Sequence, residues 1–73
     1  MHKIIQIISQ NMKKTREENH LSFSQMAKLL GVKESSVRKL EQGELAEDIY
    51  LDILFIIERE FGIEPWLFIS KII

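Results

Sequence analysis

Residues 34 to 42, Glu-Ser-Ser-Val-Arg-Lys-Leu-Glu-Gln, hold the side chains best suited to chemistry. Winding them as a helix from Glu34 puts Leu40 at about 240°, Val37 at about 300° and Glu41 at about 340°, which makes one buried side. Arg38 then falls at about 40°, Gln42 at about 80°, Ser35 at about 100° and Lys39 at about 140°, an arc of hydrogen-bonding groups with no large apolar residue. Arg and Lys donate to guanine N7 and O6, Ser serves either kind of base, and the Glu34 carboxylate can accept from cytosine N4. A helix about 10 to 12 Å across fits the major groove of B-DNA, which is about 12 Å wide. A solvated surface helix carries the same residue types, so the arc alone leaves both explanations open.

The elements that position this arc follow from few breakers: one proline, at 65, and glycines at 31, 43 and 62. Ile4, Ile5, Ile8, Met12 and Thr15 recur at spacings of three and four, which predicts a helix over about 2–18 that Asn19 and His20 end. Ser22 with Gln25 three residues on is a capping box, and Leu21 before it can staple to Met26, so a second helix starts at Phe23. Its inner side is Met26, Ala27, Leu29 and Leu30, and Gly31 can take the left-handed conformation that stops it. A third helix spans about 34–42 and a fourth about 48–61, whose early acids suit the helix dipole. Pro65 suits the first position of a fifth. The expectation is an all-α, compact five-helix domain, one domain over 1–73, with a helix-turn-helix at about 23–42.

The stretch around the turn reads Leu21, Ser22, Phe23, Met26, Ala27, Leu30, Gly31, Val32, Val37, Leu40, Glu41 and Gly43. It resembles the helix-turn-helix of the phage-repressor family, the lambda and 434 repressor and Cro type, and departs from that pattern only at Phe23, where the family has glutamine. The resemblance implies a five-helix fold over nearly the whole chain and a DNA-binding regulator. By position it implies that Glu34, Ser35, Arg38 and Lys39 face base edges, Glu34 ranking below the two cations because it also repels phosphate. Lys33 and Gln42 fall where phosphates are contacted, and Lys13, Lys14 and Lys28 are further candidates for the DNA backbone. Phe23 cannot make the glutamine's phosphate contact, although free backbone N–H groups at the start of the second helix can still hold a phosphate. The resemblance also pairs Arg16 with Glu41 as a buried ion pair, structural rather than DNA-binding.

Charge distribution agrees better with DNA than the net charge of −1 does. Residues 1–40 carry eight Lys/Arg and three Glu, or +5, and residues 41–73 carry two Lys/Arg and eight acids, or −6. A basic half can meet a phosphate backbone. In the other half, Glu44, Glu47 and Asp48 sit in the loop after the third helix, where they oppose DNA. The chain has no cysteine, which excludes disulfides and thiolate zinc sites and suits the cytoplasm. No apolar run approaches a membrane span, no metal, cofactor or small-molecule site is evident, and isolated histidines without a carboxylate pair or a Gly-rich loop argue against an enzyme.

Apolar residues crowd the C-terminal third. Ile49, Ile53, Ile56, Ile57 and Phe61 can fill a core, Tyr50, Leu54 and Phe55 lie on other sides, and Trp66, Leu67, Ile69, Ile72 and Ile73 are expected to form a homodimer interface. Such a dimer would place two recognition helices about 34 Å apart for a palindromic operator. The rival function is a protein-binding module of the same fold, an antirepressor or antitoxin, working through the acidic, apolar C-terminal half.

Overall fold

The structure is a computed structural model that describes residues 2–73. It consists, among those residues, of five helices and no strand: α1 (His2–Glu18), α2 (Phe23–Leu30), α3 (Glu34–Glu41), α4 (Asp52–Phe61) and α5 (Pro65–Ser70). α1 packs against α3 and α5, α2 against α3 and α4, and α4 against α5. Met12, Met26, Val37, Leu40, Ile57 and Phe68 are fully buried between them. Each such side chain contributes roughly 1.5–3 kcal/mol by leaving water.

Local sequence accounts for most boundaries. Ser22 Oγ accepts from the Gln25 amide at 3.0 Å and Gln25 Oε1 accepts from the Ser22 amide at 2.8 Å, so the capping box closes as expected. Gly31 ends α2 in the left-handed conformation, φ 73°, and the Val32 amide reaches back to the Ala27 carbonyl at 3.0 Å. α1 ends differently: His20 takes the left-handed position with φ 55°, a conformation that costs a residue with a Cβ.

Two expectations fail in the C-terminal half. α4 starts at Asp52 rather than near Asp48, leaving a long connection from α3. The reason is that the Asp48 carboxylate is turned to the start of α3, where it accepts from the Lys33 amide at 2.9 Å and from Ser36 Oγ. Leu54 is buried rather than turned aside, because α5 packs against α4 and Leu54 floors a groove that Ile69 helps to wall.

The end of α5 is held by one buried amide. Asn11 Nδ2 donates to the carbonyls of Phe68 at 2.8 Å and Lys71 at 2.6 Å, and Asn11 Oδ1 accepts from the Ile73 amide at 2.9 Å. Asn11 is thereby satisfied on both of its polar atoms while fully buried.

Candidate nucleic-acid interface

α2 and α3 meet across a short turn. Ala27 is small enough to let them cross closely, and it is buried with Val37 at the crossing. With Ser36, Val37 and Leu40 turned to the core, α3 leaves Glu34, Ser35, Arg38 and Lys39 exposed, and Gln42 just beyond its end is exposed too. The arc expected from the sequence therefore faces solvent, with none of the described residues across it.

Arg38 is held from two sides. Its Nη2 donates to Glu34 Oε2 at 2.7 Å, one turn back on the same helix, and its guanidinium carbon lies 4.3 Å from the centre of the Phe23 ring. Lys13, Arg16, Glu17, Phe23, Arg38, Glu41 and Gln42 line a hollow of about 380 Å³ at this end of the arc. Lys33, Ser35, Ser36, Lys39, Glu47, Asp48 and Tyr50 line another, of about 540 Å³, at the other end. Lys28, on α2, is exposed. The structure does not bring Lys14 into either hollow; its ammonium donates to the Ile73 carbonyl, on the side of α1 that meets α5.

Beneath the arc lies an ion pair. Arg16 Nε donates to Glu41 Oε2 at 2.7 Å and Nη2 to Oε1 at 3.1 Å, a fork-on-fork pairing, while Nη1 donates to the Leu21 carbonyl at 3.0 Å. The two side chains keep only 12% and 6% of their exposure. The hydrogen bond to Glu41 holds the Arg16 guanidinium more firmly protonated than usual, against the opposing effect of burial. Arg16 thus links α1, the α1–α2 turn and α3, and it fixes the angle at which α3 is presented.

Residues 12–65, well over half of the chain, match the family model described as helix-turn-helix. The chain belongs to the helix-turn-helix family. Its type is that of the phage repressors, Cro and C1, and the family is one of DNA-binding regulatory domains. No curated protein and no solved structure matches the chain.

Sequence reasoning missed how the acidic loop attaches to the helix-turn-helix. Lys33 stands at the N-cap of α3 and makes no capping bond with its own side chain. Asp48 supplies the negative charge at that helix end instead. Its hydrogen bond from Ser36, then that from the Lys33 amide, hold its carboxyl below the usual range. One of the three loop acids is therefore spent on α3 itself, and Glu44 and Glu47 remain exposed. No pattern in the sequence marks this contact, because Asp48 looks like any residue near a helix start.

The expected dimer residues have mixed placements. Trp66 is 71% exposed and Ile72 is exposed, Leu67 is marginally so, and Ile69 and Ile73 are half-buried against the core. Leu45 and Leu51, in the connection between α3 and α4, are well exposed, Leu51 at 77%. They join Ile4, Tyr50 and Ile69 around an apolar groove of about 430 Å³. Among the described residues no helix is long and apolar enough to cross a membrane, and no three His, Cys, Asp or Glu gather as a metal site would require.

Proposed function

We propose that this domain is a sequence-specific repressor of transcription that binds double-stranded DNA as a homodimer on a palindromic operator, in the cytoplasm beside that DNA. Arg38 and Lys39 donate to guanine edges, Ser35 adjusts to either base, and Glu34 accepts from cytosine N4 or rejects wrong sequences. Lys33, Gln42, Lys13, Lys28 and the free amide of Phe23 meet phosphates. Lys14, whose ammonium donates to the Ile73 carbonyl on the α5 side, is turned away from that set. The observation that carries the proposal is the open polar arc of α3, locked from below by Arg16 and Glu41 and lying in the basic half of the chain.

Trp66, Leu67, Ile69, Ile72 and Ile73 would bring two copies together. Exposed apolar area of this kind usually marks an interface, with tryptophan a favoured anchor. The two α3 helices would then enter successive major grooves about 34 Å apart. Light scattering at tens of micromolar should show a dimer; a monomer there sinks the two-fold arrangement.

The experiment for the main proposal is selection of bound duplexes from a random pool at two salt concentrations. Enrichment of an inverted repeat with a steep salt slope is the expected result. A second function, a protein-binding module such as an antirepressor or antitoxin, is favoured by exposed Glu44, next in sequence to Leu45 of the apolar groove, and by exposed Glu47, which lines the hollow beside Lys33 and Lys39. An unenriched pool at low salt, together with a stable complex formed with an acid-tolerant protein partner, would transfer the assignment to it.

A further inference from the structure

Phe23 stands where its family has glutamine, and its ring is in contact with two arginines. The guanidinium carbon of Arg16 lies 4.1 Å from the ring centre and that of Arg38 lies 4.3 Å from it. Each guanidinium also has its own carboxylate, Glu41 for Arg16 and Glu34 for Arg38, both at 2.7 Å. Two cations can therefore share one ring without a bare repulsion between them. The result is a continuous stack from a buried ion pair, through an aromatic ring, to an exposed arginine on the recognition helix.

This stack matters for Arg38 because an exposed arginine is normally free to rotate about its side-chain bonds, and ordering it on a base costs entropy. Arg16 is immobilised by three hydrogen bonds, two to Glu41 and one to the Leu21 carbonyl. Phe23 is fixed at the first position of α2 by the capping box that precedes it, and it is half-buried. A ring so held presents a face of set orientation, and a guanidinium lying on it keeps its plane. Glu34 occupies one Nη2 hydrogen of Arg38. Of the five N–H donors, the others point within the guanidinium plane, free for a paired acceptor edge such as guanine N7 and O6.

We infer that Phe23 is a specificity-determining residue: its ring orients Arg38 for one base pair of the operator, a role distinct from any phosphate contact of its amide. The inference rests on the DNA-binding function proposed above. Phe23 touches no base itself and acts through Arg38, so it is a positioning residue.

The test uses the whole chain with Phe23→Leu, which keeps an apolar side chain but removes the aromatic face, and Phe23→Tyr, which keeps the face. Circular dichroism melts first establish that both variants fold. In the free protein, the side-chain N–H and δ-CH₂ proton resonances of Arg38 should sit upfield through the ring current, move downfield in Phe23→Leu and stay in place in Phe23→Tyr. On the selected duplex and its single-base-pair variants, Arg38→Ala identifies the pair that Arg38 reads. Phe23→Leu should reduce preference at that pair alone by about two- to fivefold, the size of an exposed cation–π contact. Phe23→Tyr should retain it, and Phe23→Leu should add nothing in the Arg38→Ala background. Equal weakening on every sequence, a loss that persists without Arg38, or no rescue by tyrosine would overturn the inference and leave the DNA-binding function standing. A wild-type chain that enriches no duplex would overturn both.

Discussion

Removing the Arg16 guanidinium should destabilise this domain more than removing any exposed cation. In Arg16→Met, Glu41 keeps 6% of its exposure and loses both of its partners, at 2.7 and 3.1 Å, and the Leu21 carbonyl loses its donor. Breaking a buried pair by removing one partner costs about 3–5 kcal/mol. Arg16 retains some contact with water, so the lower end, about 3 kcal/mol, is the better value. A domain of 73 residues at about 0.05–0.15 kcal/mol per residue has a total stability of about 4–11 kcal/mol. The variant therefore loses a large share of what it has. With an m-value of about 1 kcal/mol/M for so small a chain, the urea midpoint followed by circular dichroism should fall by about 3 M. Arg16→Met combined with Glu41→Leu removes the orphaned charge, and it should be more stable than Arg16→Met alone. The exposed control Lys13→Met should stay within about 0.5 kcal/mol of wild type. A loss below about 1 kcal/mol for Arg16→Met, or a double variant less stable than the single, would refute the claim that this pair anchors α3.

Asn11→Ala strands the carbonyls of Phe68 and Lys71 and the Ile73 amide. At about 1 kcal/mol per bond it should cost about 3 kcal/mol, with faster hydrogen exchange at the Ile73 amide, and an unchanged urea midpoint would contradict it. Among the described residues, the buried Thr15 hydroxyl has no hydrogen-bond partner. Thr15→Val keeps its shape, so stability should rise by about 1 kcal/mol, and a comparable loss would reveal a partner for that hydroxyl. Asp48 is more acidic folded than unfolded, so its stabilisation is complete above about pH 5 and is lost as pH falls below about 4. Asp48→Asn should flatten that acid limb when urea midpoints are compared across pH; parallel curves for both proteins would rule out the α3 cap. Lys13→Ala should weaken binding to all duplexes alike and reduce the steepness of the salt slope by about 0.9, whereas a change in base preference would reassign Lys13 from phosphate to base.

Local chemistry was the readable part of this chain. Ser22 and Gln25 close their box within one turn, and Gly31 stops α2 by its own conformational freedom, so the helix-turn-helix lies where its residues place it. The outward arc of α3 follows from helical periodicity once Val37 and Leu40 are assigned to the core. The Arg16–Glu41 pair spans 25 positions, and only the family resemblance pointed to it. Asn11 reaches across 57 to 62 positions to the end of α5, and nothing in its neighbourhood tells it from a surface asparagine. Asp48 illustrates a conflict between levels. Its type and position favour a helix start, but two tertiary hydrogen bonds, from the Lys33 amide and from Ser36 Oγ, claim the same carboxylate, and α4 starts only at Asp52. Leu45 stands among acids and Leu51 in an apolar run that reads as helix, and only the folded loop gathers them with Ile4 and Ile69.

The most direct measurement is a titration of the isotopically labelled protein with the selected duplex, in dilute salt, followed residue by residue through its backbone amide resonances. The largest shifts should fall on Phe23 and on Lys33 to Gln42, with side-chain signals of Arg38 and Lys39 moving alongside them. Shifts centred on residues 44 to 51 or α4 while α3 stays silent, or none at all, would contradict it.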